Sequence, residues 1–354
     1  MEIKRKATRQ IHVGKVLIGG NAPVSIQSML NVKTSDIASA SAQIESLSRA
    51  GCEIIRFSVM DMEDANAIPE LKRASSVPLI ADIHFDHKLA LAAIAMGIDG
   101  LRINPGNIGS QEGVKSLVAA ARERDIPIRI GVNSGSLPQD LIRRFGVSAS
   151  AMVEAAMRHV HLLEELNYDR IKISVKASQL PLMLDSYREL SRVRDYPLHL
   201  GVTEAGTLLP GSIKSAIGLG LLLAEGIGDT IRVSLTADPV EEIKASREIL
   251  KALGLRQGLN IISCPTCGRT RIDLISLATA VEQALAPFAD VPLTIAVMGC
   301  AVNGPGEARE ADFGIAGGKG EGLIFAKGEI LRKVPEEALL QELVALVEAH
   351  VRAK

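Results

Sequence analysis

The sequence is poor in aromatic residues and in net charge, and both shortages exclude classes of function. It contains no tryptophan, and aromatic residues make up only 3% of its 354 positions. Proteins that bind single-stranded nucleic acid usually stack bases on aromatic side chains, so that mode of binding is not expected here. The formal net charge is −1, so we also expect no general affinity for nucleic acid or for an anionic membrane.

Long apolar runs are missing as well. The longest run, AIGLGLLLA, covers residues 216–224 between Lys214 and Glu225. It is far too short to cross a bilayer. The start of the chain, MEIKRKATRQIHVGK, is charged and lacks the apolar segment of a signal peptide. These features predict a cytoplasmic protein without a membrane contact.

Between residue 23 and about residue 254, short β-rich runs alternate with longer amphipathic runs. Eight strand candidates occur in this order: PVSIQSM, EIIRFSV, PLIADIHF, GLRINPG, PIRIGVN, DRIKISVK, PLHLGVTE and DTIRVSL. Three of the helical runs end in Gly51, Gly97 and Gly254, where helix caps are expected. Eight βα units predict an α/β fold of the (β/α)8 TIM-barrel type. An open, doubly wound sheet is the alternative.

Polar and apolar side chains alternate along six of these strands, although parallel strands are usually apolar on both faces. In IRIGVN, for example, Ile128 and Ile130 take one face while Arg129 and Asn133 take the other. We expect the apolar face to pack on helices and the polar face to line the barrel lumen. Five cations would then converge near the mouth, namely Arg56, Arg102, Arg129, Lys176 and Arg232.

Five cations in a small lumen require anions, because their repulsion and desolvation are costly. One or two internal carboxylates would offset part of the charge, and a ligand with two phosphates would offset more of it. The alternative is that these cations form surface ion pairs with helix carboxylates. Glu204 falls on the apolar face of its strand, so we expect it past the strand end or after a bulge.

The repeating strand and helix pattern stops after Gly254, and roughly the last hundred residues are predicted to form a small α+β domain. We therefore predict a barrel domain over residues 1–254 that binds the substrate, and a metal-binding domain over residues 255–354. The glycine-rich run GIAGGKGEG lacks the spacing of a phosphate-binding loop, so we interpret it as a turn in a hairpin.

The second domain contains three of the four cysteines. Cys264 and Cys267 form a C-x-x-C pair and Cys300 ends a predicted strand, which suits soft thiolates around one metal centre. The best fourth ligand is Glu307, in a glycine-containing loop, whereas Cys52 is expected to be a buried packing residue. Structural zinc usually takes four Cys or His ligands. An iron–sulfur cluster with one exchangeable iron is therefore favoured over zinc, and over a purely structural or redox-active disulfide pair.

Five motifs, in this order along the chain, are SIQSM, LRINPGNIG, SVKAS, CPTCGRT and VMGCAVNGPGEA. Together they resemble the 4-hydroxy-3-methylbut-2-enyl diphosphate synthases (the IspG/GcpE family), in their two-domain bacterial form. The resemblance implies reductive ring opening and deoxygenation of 2-C-methyl-D-erythritol 2,4-cyclodiphosphate to 4-hydroxy-3-methylbut-2-enyl diphosphate, in the methylerythritol phosphate route to isoprenoids. It also implies a 4Fe-4S cluster, two electrons from flavodoxin or ferredoxin, and a homodimer in which one subunit's cluster domain covers the other subunit's barrel.

The resemblance also implies roles for individual residues. It places the cluster ligands on Cys264, Cys267, Cys300 and Glu307. It places the diphosphate contacts on Arg56, Arg102, Arg129, Asn133, Lys176, Arg232 and Ser234. It places His84, Glu204 and Asn303 near the substrate, and we expect Glu204 or His84 to handle a proton.

Two other functions fit parts of the sequence. One is a phosphosugar aldolase or lyase with Lys176 as its Schiff-base residue and a structural zinc site. That reading requires one desolvated lysine, although Lys176 is expected among four arginines. The other is a metal-dependent sensor of a phosphorylated metabolite, which gives no reason for an incomplete cysteine site.

Overall fold

The computed structural model describes residues 3–83, 86–103, 111–301 and 304–353. The chain divides into two compact units, Met1–Leu255 and Arg256–Lys354. None of the helices within the described residues is both long enough and apolar enough to span a membrane.

The first unit contains a short hairpin followed by eight parallel strands. The hairpin strands are β1 (Ile11–Val13) and β2 (Val16–Ile18). The parallel strands are β3 (Ser25–Met29), β4 (Ile54–Ser58), β5 (Leu79–Asp82), β6 (Gly100–Ile103), β7 (Ile128–Asn133), β8 (Ile171–Lys176), β9 (His199–Leu200) and β10 (Thr230–Ile231). All eight lie within the runs that the sequence predicts.

The parallel strands close into a ring. Their order is β8-β7-β6-β5-β4-β3-β10-β9. A parallel bridge between Ile173 and Leu198 joins β8 to the start of β9, and the Ile173 N–H donates to the Pro197 carbonyl at 3.0 Å. This contact connects the two ends of the sheet, so the predicted barrel is confirmed over the open sheet.

Nine helices are described in the first unit, most of them outside the ring. They are α1 (Ile37–Arg49), α2 (Met62–Ala74), α3 (His87–Ala95), α4 (Gln111–Glu123), α5 (Gln139–Phe145), α6 (Ala149–Glu165), α7 (Leu180–Val193), α8 (Leu208–Ala224) and α9 (Pro239–Ala252). The predicted caps are confirmed: Gly51, Gly97 and Gly254 follow α1, α3 and α9 with φ of +95°, +87° and +68°. Glycine adopts this left-handed conformation without a steric penalty.

The alternation along the strands separates two environments. The apolar set, including Phe57, Ile103, Ile130, Val175 and Val233, belongs to the main core cluster. The strands therefore present this face to the helices and the polar face to the lumen, as the sequence predicts.

The floor of the barrel is a feature that the sequence analysis missed. Ile11, Val13 and Ile18 of the β1–β2 hairpin pack against Ile54 and Ile80, which occupy lumen-facing positions of β4 and β5. All five side chains are almost fully buried. The hairpin thus seals the amino-terminal end of the barrel with apolar side chains, which leaves the carboxyl end for a polar site.

The second unit is a five-stranded mixed sheet with helices. Its elements are β11 (Asn260–Ser263), α10 (Leu274–Leu285), β12 (Thr294–Met298), α11 (Gly304–Glu307), β13 (Phe313–Gly317), β14 (Glu321–Ala326), β15 (Glu329–Pro335) and α12 (Leu339–Arg352). Strands β11, β12 and β13 are parallel neighbours, whereas β14 and β15 continue the sheet antiparallel. The glycine-rich run forms the β13–β14 hairpin, which confirms that it is a turn.

Candidate active site

A cavity of about 270 Å³ opens at the carboxyl ends of the barrel strands. Its lining residues come from the six strands β3 to β8 and from the segments that follow β9 and β10: Met29, Arg56, Asp82, Arg102, Arg129, Gly131, Asn133, Ser174, Lys176, Thr203, Arg232 and Ser234. All five cations that the alternation predicts are among them, so the surface ion-pair alternative is wrong. A cavity of this size suits a small metabolite.

Two carboxylates offset part of the charge in this cavity. Asp82 accepts a hydrogen bond from Arg102 Nη1 at 3.0 Å, and its other oxygen lies 3.4 Å from Arg56 Nε. Glu242, a buried residue of α9, lies 3.4 Å from Arg232 Nε. Internal carboxylates were expected from the sequence, but Glu242 was not predicted, because helix periodicity does not show which acidic side chain turns inward.

The Glu242 carboxylate also ties three segments together. It accepts hydrogen bonds from Ser28 Oγ at 2.8 Å and from the Leu235 N–H at 3.1 Å. One side chain thereby connects β3, the segment after β10, and the Arg232 guanidinium. It therefore fixes where this cation lies as well as compensating its charge.

The charge compensation is incomplete for two of the cations. Within the described residues, neither Arg129 nor Lys176 has a carboxylate at ion-pair distance. Burial lowers the pKa of Lys176 well below its usual value, and repulsion from Arg129 lowers it further. Burial likewise lowers the pKa of Arg56 to about 10, although Asp82 works against this shift. The site thus holds more positive charge than its carboxylates offset, so a dianionic ligand would be stabilised there.

Buried donors without partners support the same conclusion. In the part of the chain that the structure describes, the Nε atoms of Arg102 and Arg129 are buried and make no hydrogen bond. A buried N–H without an acceptor costs free energy. Phosphate oxygens entering the cavity are acceptors of the kind that these donors lack.

Met29 is a lining residue that the sequence analysis did not single out. Its sulfur lies 2.9 Å from Arg56 Nη2 and 3.7 Å from Arg232 Nη1. The thioether therefore contacts both guanidinium groups and separates two like charges. An apolar residue at the end of a strand gives no sequence signal for this role.

Two glycines make room for the cations. A Cβ at residue 201 would lie 2.4 Å from Lys176 Nζ, and a Cβ at residue 131 would lie 3.1 Å from Arg102 Nε. Any side chain at Gly201 would displace the Lys176 ammonium group. These two positions keep open the space that long cationic side chains occupy.

The remaining predicted substrate residues divide into two groups. Glu204 was expected either past the end of its strand or after a bulge, and it lies beyond the end of β9. Its side chain is exposed and its φ is +53°. It follows Thr203, which lines the cavity. His84 and Asn303 lie outside the described residues.

A larger depression lies elsewhere on the barrel, between α1 and α2. Its volume is about 640 Å³, and among the described residues its charged lining consists of Glu45 and Arg49, which pair with each other. It offers neither surplus charge nor converging donors. The cationic cavity is therefore the candidate ligand site.

The three cysteines of the second unit lie at the ends of two neighbouring strands. Cys264 and Cys267 follow β11, and Cys300 follows β12, which pairs with β11 in parallel. The Gly299 N–H approaches Cys264 Sγ at 3.1 Å. The two cysteine segments therefore meet at one edge of the sheet.

Arg269 links the cysteines to the predicted carboxylate ligand. Hydrogen bonds from Arg269, to which its backbone contributes most, lower the pKa of the Cys267 thiol. Cys267, Cys300 and Glu307 in turn raise the pKa of Arg269. One exposed guanidinium is thus within electrostatic range of three of the four predicted ligands.

The four predicted ligands are chemically suited to an iron–sulfur centre. They combine three thiols, the ligands that iron–sulfur clusters use, with one carboxylate, which is a harder ligand. Among the described residues, no three His, Cys, Asp or Glu side chains stand in the arrangement of a formed metal site. Cys52 is separate from this group: it is buried in the barrel core, and burial raises its pKa to about 12.

Comparison with protein families assigns both units. The GcpE TIM-barrel domain matches residues 8–247, and the GcpE protein C-terminal domain matches residues 260–349. The chain belongs to the GcpE family.

Close relatives in the GcpE family match nearly the whole chain. A protein of Geobacter sulfurreducens is 60% identical over 349 residues, which are 98% of this chain and 99% of that relative. A protein of Clostridium perfringens is 57% identical, with the same coverage of both chains. Each of these relatives is named 4-hydroxy-3-methylbut-2-en-1-yl diphosphate synthase (flavodoxin).

Solved structures outside the GcpE family share the fold alone. Dihydropteroate synthase from Yersinia pestis superposes with a TM-score of 0.51 at 13% identity, covering 70% of this chain and all of that chain. A truncated 3-deoxy-D-arabino-heptulosonate 7-phosphate synthase from Thermotoga maritima gives 0.50 at 11% identity, covering 70% of this chain and 94% of that one.

Proposed function

We propose that this chain is a 4-hydroxy-3-methylbut-2-enyl diphosphate synthase. It opens the ring of 2-C-methyl-D-erythritol 2,4-cyclodiphosphate reductively and removes one oxygen from carbon, which leaves as water. The reaction consumes two electrons and belongs to the methylerythritol phosphate route to isoprenoids. The observation that carries this proposal is the cation-rich cavity at the mouth of the barrel in a chain of the GcpE family.

The first unit is proposed to bind the substrate. The cyclic diphosphate would contact the guanidinium groups of Arg56, Arg102, Arg129 and Arg232, the Lys176 ammonium group, and the polar side chains of Asn133 and Ser234. The surplus positive charge and the unpartnered Nε atoms of Arg102 and Arg129 support this assignment. Arginine grips phosphate oxygens in pairs, so several of these contacts would also orient the ring.

The Lys176 ammonium group would be one contact of the bound diphosphate. The pKa of Lys176 is lowered in the free protein because the group is buried among other cations. A diphosphate beside it would favour the charged ammonium form. The diphosphate would therefore raise the pKa of Lys176 and accept a charge-assisted hydrogen bond from Nζ.

The second unit is proposed to hold the cofactor. Membership of the GcpE family implies an iron–sulfur cofactor, and we propose a 4Fe-4S cluster on Cys264, Cys267, Cys300 and Glu307. When bound, the cluster supplies the reducing electrons, and the carboxylate ligand gives it one exchangeable iron. The meeting of the two cysteine segments at the edge of β11 and β12 supports this ligand set.

Proton transfer is proposed for Glu204, His84 or both, with Asn303 contacting the substrate. Glu204 follows Thr203 at the rim of the cavity and is exposed. A carboxylate at this position is open to solvent, which a group that relays protons to the cavity requires. Its left-handed backbone turns the chain at this position.

The partners follow from the same proposal. The relatives carry flavodoxin in their names, so we propose flavodoxin, or a ferredoxin in its place, as the electron donor. A homodimer and a cytoplasmic location stay predictions from the sequence.

The aldolase alternative is not favoured. A lysine with a lowered pKa would suit a Schiff base, and Lys176 has one. However, the relatives share 60% and 57% identity with this chain and are named as synthases of a diphosphate. Borohydride trapping with phosphosugars should therefore label no Lys176.

Electron counting tests the proposal. Protein purified without oxygen should be brown, and with the cyclic diphosphate it should oxidise two equivalents of reduced methyl viologen for each product formed. Air-bleached protein is the matched control and should consume none. A colourless protein with one zinc per chain, or consumption of viologen without substrate turnover, would refute the proposal.

A further inference from the structure

Buried polar side chains lie in the barrel lumen beneath the cationic cavity. They share the lumen-facing alternation of the residues that line the cavity but come earlier on their strands, and they are almost fully buried: Gln27, Lys172, His199 and Thr230. None of these four lines the cavity itself. Any influence that they have on a ligand must therefore act through the residues above them.

His199 contacts one of those residues, the cavity cation Arg129. The Arg129 Nη1 atom lies 3.4 Å from His199 Nε2 and 3.5 Å from His199 Nδ1. A neutral imidazole always has one ring nitrogen that accepts a hydrogen bond. Because Nη1 is within reach of both nitrogens, the ring offers Arg129 an acceptor in either tautomer.

The surroundings of His199 keep its ring neutral. An imidazolium 3.4 Å from a guanidinium would repel it strongly in a buried place. Burial lowers the pKa of His199 well below its usual value, and four cations lower it further: Arg129, Lys176, Lys172 and Arg56. Arg129 thus has a partner that carries no charge.

The backbone at His199 is held in place from two sides. The Tyr187 hydroxyl of α7 donates to the His199 carbonyl at 2.5 Å, and both residues are fully buried. On the other side His199 pairs with Thr230 of β10. The ring is therefore fixed in the lumen and can determine where the Arg129 guanidinium lies.

We propose that His199 is a positioning residue for Arg129, whose guanidinium it orients from below while leaving the positive charge uncompensated for a dianionic ligand. A carboxylate at residue 199 would orient the guanidinium as well. However, it would offset the charge of Arg129 and occupy N–H donors that phosphate oxygens require. This inference rests on the proposed binding of a diphosphate in the cavity and names a residue that prepares the cavity for it.

Lys172 shows the same use of a neutral partner. Its Nζ atom lies 3.5 Å from Thr230 Oγ1, which also accepts a hydrogen bond from Ser25 Oγ at 2.9 Å. The neighbouring carboxylate of Asp229 is instead paired with Arg5 at 2.7 Å. Positive charge beneath the cavity is thus contacted by uncharged groups, which suits a site whose surplus charge is available to a ligand.

Calorimetry with pyrophosphate on the intact, cluster-loaded protein tests the role of His199. His199→Asp should bind pyrophosphate at least about tenfold more weakly than the wild type, because the new carboxylate pairs with Arg129. His199→Gln supplies a neutral acceptor and should lose no more than about threefold. A residue that only fills space would give both variants the same loss, so equal affinities of the two variants would overturn the proposal.

The same change at an exposed histidine is the matched control. His12 is exposed on β1, in the hairpin that seals the opposite end of the barrel, and His12→Asp should bind pyrophosphate as the wild type does. A wild type that binds no pyrophosphate would overturn the inference about His199. Conversion of the cyclic substrate is measured separately, so the proposed function would stand or fall by its own result.

A double-mutant cycle decides the matter if His199→Asp does not fold. His199→Leu removes the acceptor and should weaken pyrophosphate binding at least about fivefold in the wild-type background. In an Arg129→Gln background the same change should cost less than about twofold, because the guanidinium that it positions is gone. Equal losses in the two backgrounds would show that His199 does not act through Arg129 and would overturn the proposal.

Discussion

At the scale of single residues, the cation-rich cavity depends on side chains that lie on different elements. The cations come from strands, where alternation with a period of two made them predictable. Asp82 was visible in the same alternation. Glu242 and Met29 were not, because one lies on a helix and the other is apolar. Sequence pattern identifies the lining of a lumen but not the groups that reach it from outside.

Replacing Arg102 tests the cavity as a diphosphate site. Arg102→Met should weaken binding of the cyclic diphosphate at least about tenfold, because a charge-assisted contact contributes on the order of 1.5–3 kcal/mol. Titration calorimetry measures this directly. Arg49→Met, at a side chain that is exposed on α1, is the control and should bind normally. Equal affinities of the two variants would show that the cavity is not the site.

Replacing Glu242 tests the charge balance of the free protein. Glu242→Gln keeps one acceptor oxygen, for the Leu235 N–H, and offers its amide N–H to the Ser28 hydroxyl, which can accept it. It removes the negative charge beside Arg232. Without ligand, the variant should have an unfolding free energy roughly 1–3 kcal/mol lower than that of the wild type. Pyrophosphate should raise the stability of the variant by more than it raises that of the wild type. Thermal denaturation with and without pyrophosphate provides both values.

The neighbouring residue supplies the control for that experiment. Glu241 pairs with Lys244 at 2.7 Å on the outer side of α9. Glu241→Gln should respond to pyrophosphate as the wild type does. If Glu242→Gln gains no more stability from pyrophosphate than Glu241→Gln, the carboxylate does not compensate the cavity's charge.

At the scale of elements, the eight strands were predictable, whereas the floor of the barrel was not. The hairpin strands β1 and β2 have three residues each. They lie in a segment that is charged like the disordered beginning of a chain. Three residues are also too few to show the two-residue alternation from which a strand is predicted. The role of these apolar residues in sealing the floor can be recognised only once the fold places Ile54 and Ile80 next to them.

The two-residue strand β9 carries the buried residue His199. Burial lowers the pKa of His199 well below its usual value, and Arg129, which lies 3.4 Å from the ring, lowers it further. A base whose pKa is lower in the folded state binds fewer protons there than in the unfolded chain. Stability should therefore fall as the pH drops below about 6.5, the pKa of an unperturbed histidine.

A His199→Gln variant should lose this part of the pH dependence. Between pH 6 and pH 5 its unfolding free energy should decline less steeply than that of the wild type, by up to about 1.4 kcal/mol per pH unit. Urea unfolding at several pH values measures the slope. His161→Gln, at an exposed position on α6, should keep the wild-type slope. Parallel slopes for all three proteins would mean that His199 is not buried in its neutral form.

At the scale of the whole molecule, the two units are proposed to carry separable tasks. Cys267→Ser should lose most of the iron and all turnover, and it should still bind the cyclic diphosphate in the barrel. Cys52→Ser is the control, since Cys52 is a core residue, and it should keep both iron and turnover. Iron analysis and calorimetry give the two results independently. Loss of iron in Cys52→Ser would contradict the proposed ligand set.

This chain is proposed to convert a cyclic diphosphate into a linear one by reduction, and phosphorus NMR observes that conversion itself. The oxygen-free, cluster-loaded protein is mixed with 2-C-methyl-D-erythritol 2,4-cyclodiphosphate, with and without a chemical reductant. The signals of a linear allylic diphosphate should replace those of the cyclic substrate only when the reductant is present. Conversion without reductant, or an unchanged cyclic diphosphate in the presence of fully loaded protein and reductant, would contradict it.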